Sequence, residues 1–153
     1  MSYLEIPAYA KINLSLDVTG KREDGYHEIK TIMQTVSLHD TVCLETTEGK
    51  GIRLECGSRW VPEDETNTAW KAAKLVMDRF GIKCGLRIRI IKRIPVAAGL
   101  AGGSADAAAV LKGMNRLFSL QLDAAGLRQL GRQIGADVPY CIEGGTRLAE
   151  GIG

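Results

Sequence analysis

Hydrophobic and polar residues alternate over the first third of the chain, which is the pattern of strands with one face in water. Within residues 2–19 one face is apolar, with Ile12, Leu14, Leu16 and Val18. The opposite face is polar, with Asn13, Ser15 and Asp17. After a polar turn at 20–25, β-branched and apolar residues resume over 27–38, 41–47 and 51–56. These segments predict mostly antiparallel strands joined by short turns.

The period changes after the first third of the chain, where a loop leads into a helical pattern. Apolar residues recur three and four positions apart from Ala69 to Phe80, and Gly81 follows them. This spacing predicts an amphipathic helix that has a glycine just beyond its last turn. Either Thr66 or Asn67 is expected to cap its start, because both side chains can accept a backbone hydrogen bond there.

Strand and helix patterns then follow one another to the end of the chain. Alternation over 86–90 predicts a strand, and helical spacing predicts a second helix over 107–118 and a third from Asp123 to about 134. Two short apolar segments, 139–143 and 146–149, are expected to be closing strands. An order of strands, helix, strand, helices and strand predicts an α+β fold.

Length and charge exclude several classes of protein. The chain has 153 residues, enough for one domain with a substantial core. Its 20 Lys and Arg against 18 Asp and Glu give a net charge of +2, which does not favour nucleic acid or a membrane surface as partner. We find neither a long apolar run nor a secretory or transit signal, so we expect a cytoplasmic protein with reduced cysteines.

Glycine makes up 18 of the 153 residues, and many of these glycines lie between a predicted strand and the second helix. Gly102 and Gly103 allow a tight turn and close approach of a ligand, and Ser104 adds a hydroxyl donor. The start of a helix offers free N–H groups, so phosphate binding is one interpretation. The spacing matches neither a Walker A loop nor a dinucleotide-binding motif. A loop with a close helix–strand contact is the alternative.

Two charged residues are candidates for chemistry, although each has an ordinary structural explanation. Lys11 interrupts an apolar stretch near Asn13, and a strand lysine is most often a solvated or edge residue. Asp137 lies between a helix and Pro139, which is expected to keep Val138 extended. An Asp in such a turn is usually a surface hydrogen-bonding residue.

An aromatic residue beside an imidazole follows the first turn, at Tyr26 and His27. Such a pair suits a nucleobase, since one ring can stack and the other can hydrogen-bond. The alternative is an exposed pair on a hairpin, without a ligand.

Together these segments resemble the GHMP kinase superfamily. The resemblance is carried by residues 10–14, 20–29, 95–108, 135–140 and 144–146. The glycine-rich block resembles the superfamily as a whole. The block that ends in Tyr26 and His27 resembles the 4-diphosphocytidyl-2-C-methyl-D-erythritol kinases within it. The resemblance implies a two-layer α+β domain over 1–153, with a mostly antiparallel sheet packed with helices.

The resemblance also implies an activity, which is ATP-dependent phosphorylation of the methylerythritol 2-hydroxyl in non-mevalonate isoprenoid synthesis. Asp137 would be the general base that takes the hydroxyl proton, and Lys11 would orient it and stabilise negative charge. Asn13 would hold the methylerythritol part of the substrate. Tyr26 and His27 would recognise its cytosine.

ATP would lie on the glycine-rich loop, with Mg²⁺ carried by the nucleotide and no metal ligand assigned to the protein. The loop residues implied are Pro95, Ala97, Ala98, Gly99, Leu100, Ala101, Gly102, Gly103, Ser104 and Ala105. Many members have Gly at the position of Ala101 and Ser at that of Ala105. Because Ala101 carries a Cβ, we expect an ordinary φ there.

Members of this family are about twice as long, and their C-terminal domain completes the ligand cleft. We therefore expect this chain to be the front part of a longer protein, since the segment from Glu143 to Gly153 resembles the start of further structure. Two alternatives remain open. One is another GHMP kinase, of the homoserine or mevalonate type, and the other is a nucleotide-binding module without turnover.

Overall fold

The computed structural model describes residues 1–152, in which five strands and four helices alternate along the chain. In chain order they are β1 (Tyr3–Lys21), β2 (His27–Thr47), β3 (Ile52–Glu55), α1 (Thr68–Phe80), β4 (Gly85–Ile91), α2 (Gly102–Leu117), α3 (Ala124–Arg132), α4 (Val138–Glu143) and β5 (Thr146–Ile152). The predicted α+β class and the mostly antiparallel sheet are confirmed. No helix in this part of the chain is both long and apolar enough to cross a membrane.

The long strand β2 organises the sheet. Along one edge it pairs antiparallel with β1 over nearly its whole length. Along the other edge, its second half pairs antiparallel with β4, and its first half pairs antiparallel with β5. The short strand β3 adds to β4 in parallel. One strand, β2, therefore spans the two segments 27–38 and 41–47 that the sequence predicts separately.

The core lies between the helices and one face of the β1, β2, β4 and β3 part of the sheet. From the strands, Ile6, Val42, Leu44, Ile88 and Ile90 are buried there. From the helices, Val76, Val110, Leu111, Met114 and Leu130 meet them. The alternating strands and the helical stripes predicted from the sequence thus supply this core, as hydrophobic burial requires.

Local signals set the ends of the first and third helices. Asn67 caps α1, since its side-chain oxygen accepts a hydrogen bond from the Ala69 N–H at 2.8 Å. Gly81 ends α1 in the left-handed conformation, with φ of 66°. Asp123 caps α3 through the Gly126 N–H at 2.8 Å. The sequence predicts these boundaries correctly, because capping depends on residues a few positions apart.

The predicted strand over 139–143 is wrong, because these residues belong to α4. Val138, which we expected to be extended before Pro139, is the first residue of that helix. Proline suits the first turn of a helix, where its fixed φ is helical and its missing N–H has no partner to lose. The Cys141 N–H donates to the Asp137 carbonyl at 3.0 Å and closes the first turn.

The sequence also predicts that the apolar face of β1 is shielded from water along the whole strand, and this is wrong for its second half. Leu14, Leu16 and Val18 are 58%, 51% and 60% exposed. The pairing of β1 with β2 shifts register between Asn13 and Ser15 and again between Val18 and Gly20, which interrupts the strict alternation. Every residue from Asn13 to Thr19 is exposed, so both faces of this part of the strand are open to solvent. The second half of β1 therefore extends past the hydrophobic core.

Candidate active site

A cavity of about 410 Å³ opens between the loop before α1 and the loop before α2. Its first wall is formed by Trp60, Val61, Pro62, Thr66, Asn67 and Thr68. The opposite wall is formed by residues 95–104, with Lys92 and Asp106 beside them. The cavity therefore includes all the predicted ATP-binding residues except Ala105, which is buried in the first turn of α2.

The loop at 95–101 has a backbone shape suited to anions. Ala97, Gly99 and Ala101 have φ values of 57°, 74° and 58°, so left-handed residues alternate with others. Such alternation turns successive N–H groups toward one concave side. The expected ordinary φ at Ala101 is therefore wrong. The chain must reverse there to enter α2, and this need outweighs a cost of roughly 1–2 kcal/mol for a residue with a Cβ.

The first turn of α2 faces the same cavity with its N–H groups. No side chain caps this helix at Ala101, so the positive end of its dipole is open to a ligand. Gly102 is required here for close packing and not for its backbone angles. A Cβ on Gly102 would lie 3.1 Å from Lys92 Nζ and 3.2 Å from Ile94 Cγ2. The ammonium of Lys92 therefore lies directly against the start of the helix.

Beneath the loop, Lys92 is held between two buried carboxylates. Its Nζ donates to Asp40 and, at 3.2 Å, to Asp106 Oδ2. Asp40 also accepts from the backbone N–H groups of Arg93 and Ile94. Asp106 Oδ1 is buried without a hydrogen-bond partner in the described structure. Burial raises the pKa of Asp106 to about 7, although the nearby Lys92 cation opposes this rise.

Sequence reasoning missed this cluster of Asp40, Lys92 and Asp106. Asp106 is the single charged residue in an alanine-rich segment, 105–109, at the start of a helix. An isolated charge among apolar residues could have indicated a buried carboxylate with a partner. Asp40 lies within β2 and Lys92 directly follows β4, and charged residues in or beside a strand are normally solvated. Only the sheet pairing of β2 with β4 brings them together.

At the other end of the loop, Lys11 lies close to two of the predicted site residues. Its Nζ is 3.7 Å from Asp137 Oδ2 and donates to Asn13 Oδ1 at 3.4 Å. The Lys11 side chain is 8% exposed and that of Asp137 is 30% exposed. An ion pair in such partly buried surroundings is screened less than a surface pair. The carboxylate retains access to a ligand.

An irregularity in the sheet joins this ion pair to the glycine-rich loop. Between the pairs Tyr9–His39 and Lys11–Thr35, one residue of β1 opposes three residues of β2. The Lys11 N–H donates to the Leu100 carbonyl at 3.1 Å. The loop is therefore bonded directly to the strand that carries the lysine. Asp137 belongs to a different element, since it is the N-cap residue immediately before α4.

Tyr26 and His27 lie at the far end of β1 and β2, where Lys21 pairs with His27. The turn is fixed by the Arg22 N–H, which donates to the Tyr26 carbonyl at 2.7 Å, and by Asp24, which accepts from the Tyr26 N–H. The Tyr26 side chain is 61% exposed. In residues 1–152 no hydrogen bond or ion pair joins either ring to Lys11 or Asp137.

The geometry combines three chemical capabilities. The loop and the start of α2 can hold a chain of phosphates through backbone N–H groups. The carboxylate of Asp137 can accept a proton from a hydroxyl group beside it. The ammonium of Lys11 can neutralise negative charge that develops between the two. Within residues 1–152 no cluster of His, Cys, Asp and Glu is arranged to hold a metal ion.

The chain is similar in sequence to known proteins. The model of the family described as the GHMP kinases N terminal domain matches residues 67–145, just over half of the chain. A protein of Acetivibrio thermocellus named 4-diphosphocytidyl-2-C-methyl-D-erythritol kinase is 61% identical over 153 residues, which cover 100% of this chain and 54% of that protein. The chain thus spans about half the length of the curated relatives it matches.

Solved structures give the same result. A crystal structure of 4-(cytidine 5'-diphospho)-2C-methyl-D-erythritol kinase superposes with a TM-score of 0.86 at 40% identity, covering 98% of this chain and 53% of that one. Homoserine kinase from Cytophaga hutchinsonii, at 22% identity, shares the fold, with a TM-score of 0.72 over 95% of this chain and 48% of that one. The chain belongs to the family of GHMP kinase N-terminal domains.

Proposed function

We propose that this chain is the nucleotide-binding part of a kinase that phosphorylates the 2-hydroxyl of 4-diphosphocytidyl-2-C-methyl-D-erythritol with ATP. The observation that carries the proposal is the ion pair of Lys11 and Asp137, with 3.7 Å between Nζ and Oδ2, next to the loop that Lys11 bonds through Leu100. The names of the relatives supply the substrate. Phosphoryl transfer asks a protein mainly for alignment and charge stabilisation, which such a site can provide.

The nucleotide phosphates would lie on residues 97–104. Support comes from the alternating left-handed residues of the loop and from the uncapped start of α2. Both features offer N–H groups to an anion, as phosphate requires. Mg²⁺ would enter with the nucleotide and neutralise phosphate charge.

Asp137 would accept the proton of the acceptor hydroxyl as the hydroxyl oxygen attacks the terminal phosphorus. Lys11 would hold that carboxylate in place and stabilise the charge that builds on the transferred group. Its position supports both roles, since its ammonium contacts Asp137 and its backbone contacts the phosphate loop. Asn13, which accepts a hydrogen bond from Lys11, would contact the methylerythritol unit.

Tyr26 and His27 would bind the cytosine of the substrate, one by stacking and the other by hydrogen bonding. The exposure of the Tyr26 ring supports this role, because a ring without a protein partner is free to stack on a base. The relatives are about twice as long as this chain. We propose that a second domain of the whole protein closes the cleft over these two residues.

The proposal is tested by substrate choice in the full-length protein. With ATP and Mg²⁺, we expect transfer to 4-diphosphocytidyl-2-C-methyl-D-erythritol and none to homoserine or mevalonate at equal concentration. Transfer to homoserine or mevalonate instead would favour another GHMP kinase. Nucleotide binding without transfer to any acceptor would favour a binding module.

A further inference from the structure

A closed set of hydrogen bonds lies where α4, the turn after it and β2 meet. The Tyr140 hydroxyl donates to the Gly145 carbonyl at 2.6 Å and lies 3.0 Å from Thr35 Oγ1. The Gly145 N–H donates to Thr35 Oγ1 at 2.9 Å. The Thr35 N–H donates to the Gly145 carbonyl at 3.1 Å. Two side chains and the backbone of Gly145 therefore form a small network, here called the Thr35–Tyr140–Gly145 ring.

The direction of each bond in this ring follows from counting protons. A phenol has one proton, and Tyr140 uses it on the Gly145 carbonyl, which can only accept. The Thr35 hydroxyl must therefore donate to the Tyr140 oxygen, and it accepts from the Gly145 N–H. Each of the two hydroxyl groups both donates and accepts, an arrangement in which hydrogen bonds strengthen one another. Removing either hydroxyl opens the ring.

The ring connects the two residues of the ion pair by a short path. Thr35 is the register partner of Lys11 in the pairing of β1 with β2. Tyr140 lies three residues after Asp137, about one helical turn along α4. One side of the ring thus belongs to the strand position opposite the lysine. The other side belongs to the helix that begins at the carboxylate.

Helix α4 depends on such contacts for its orientation. It has six residues, far fewer than an isolated helix needs to be stable in water. Beyond the ring, Glu143 near its end pairs with Arg128 and, at 2.9 Å, with Arg147. Asp137 at its start has no side-chain capping bond. Val138, next to Asp137, is buried in the core and fixes the start of the helix. The Thr35–Tyr140–Gly145 ring and the Glu143 ion pairs hold the rest of α4, so the position of the carboxylate depends on both ends of the helix.

We propose that Tyr140 is a positioning residue for phosphoryl transfer: through the Thr35–Tyr140–Gly145 ring, its hydroxyl holds Asp137 at the Lys11 ammonium. The inference rests on the proposed function. Tyr140 contacts no reacting atom in this account. It acts through α4, and its loss displaces the carboxylate without touching the phosphate loop.

The test compares four variants of the full-length protein. Tyr140→Phe keeps the ring of the side chain and removes the hydroxyl. Thr35→Val removes the second hydroxyl, whereas Thr35→Ser keeps it. Tyr3→Phe is the matched control, since it removes the hydroxyl of an exposed side chain, which donates to Glu5. We expect about a tenfold lower kcat for Tyr140→Phe and Thr35→Val, a smaller loss for Thr35→Ser, and no change for Tyr3→Phe. The KM for ATP should stay within about twofold of the wild-type value in all four variants. A small displacement of the Asp137 carboxylate changes its alignment with the acceptor hydroxyl and not the binding of the nucleotide.

Two further readouts separate positioning from general destabilisation. In the Asp137→Asn background, Tyr140→Phe should not lower kcat further, because the carboxylate that Tyr140 positions is already gone. An additive loss, a raised KM for ATP or an unchanged kcat would overturn the proposal.

The NMR signal of the Lys11 ammonium reports the ion pair without any activity. We expect the chemical shift of this signal to change in Tyr140→Phe and to be the same as in wild type in Tyr3→Phe. If the protein transfers no phosphoryl group and the signal still moves, the proposed function fails and the positioning by Tyr140 stands. A folded Tyr140→Phe protein with an unmoved signal would overturn the positioning itself.

Discussion

Lys11 and Asp137 come from opposite ends of the chain and meet with 3.7 Å between ammonium and carboxylate. The lysine reaches this position on a strand whose backbone N–H bonds the Leu100 carbonyl of the glycine-rich loop. The carboxylate reaches it as the residue that begins α4. The proposed phosphate site and the proposed base are therefore linked through a single residue, Lys11.

Replacing Lys11 should lower turnover far more than nucleotide binding. Lys11→Met keeps most of the side-chain volume at this buried position and removes the charge. We expect kcat to fall by about 10² or more, because charge stabilisation in the transition state is lost. The dissociation constant for ATP should change by less than about threefold. Steady-state kinetics and equilibrium nucleotide binding measure the two effects. A loss of both in proportion to a lower Tm would show that Lys11 only supports folding.

Replacing Tyr26 should weaken binding of the cytidine substrate. The side chain is exposed, so Tyr26→Ala removes a stacking surface without opening a cavity in the core. We expect the KM for the cytidine substrate to rise about tenfold or more, since base stacking on an aromatic ring is worth about 1–3 kcal/mol. The KM for ATP should not change. Exposed Trp60, which lines the cavity beside the glycine-rich loop, offers the reciprocal control: Trp60→Ala should raise the KM for ATP more than that for the cytidine substrate.

The backbone of the glycine-rich loop can be tested with a pair of opposite substitutions. Ala101→Gly removes a Cβ from a left-handed residue and should stabilise the protein by about 0.5–1 kcal/mol. Gly99→Ala adds a Cβ at φ of 74° in open space, and it should destabilise by about 1 kcal/mol. Chemical denaturation measures both. If both substitutions shift stability in the same direction, the left-handed geometry of the loop is wrong.

The raised pKa of Asp106 predicts a pH-dependent stability. The folded protein binds this proton more tightly than the unfolded chain, since burial raises the pKa from 3.8 to about 7. Stability from this group is therefore present below pH 4 and is lost as the pH rises from about 4 to 7. Asp106→Asn should not lose this stability. The Tm of the variant minus the Tm of the wild type should therefore increase as the pH rises from about 4 to 7.

The control for this prediction is Asp78→Asn on the exposed face of α1, where the carboxylate pairs with Lys74 at the surface. Its Tm relative to wild type should show no such rise between pH 4 and 7. A flat difference for Asp106→Asn as well would mean that Lys92 keeps the Asp106 carboxylate ionised throughout this range.

The elements that could be predicted from the sequence are those fixed by neighbours. The α1 boundaries at Asn67 and Gly81 are correct, because caps act within a few residues. The strand predicted over 139–143 is wrong, because five residues are too few to separate a helical period from an alternating one. The left-handed φ of Ala101 was unpredictable from its Cβ, since the reversal into α2 imposes it.

In the candidate site, too, some features could be predicted from the sequence and others could not. The glycine-rich loop, which we propose as the phosphate site, could be located from the sequence, because strand, glycines and helix are consecutive. The approach of Lys11 to Asp137 is not, because it depends on an irregular pairing of β1 with β2 and on the packing of α4. Only the family resemblance suggested it. No sequence motif points to the cluster of Asp40, Lys92 and Asp106. It depends on the register of β2 with β4 and on the packing of α2 beside them.

The most direct test of the central claim is the rate of phosphoryl transfer by the full-length Asp137→Asn variant. The amide keeps the size of the side chain and cannot accept the hydroxyl proton at neutral pH. We predict that kcat for 4-diphosphocytidyl-2-C-methyl-D-erythritol falls by about 10² or more, while ATP binds with unchanged affinity. A kcat equal to that of the wild type would show that Asp137 is not the base and would contradict the account.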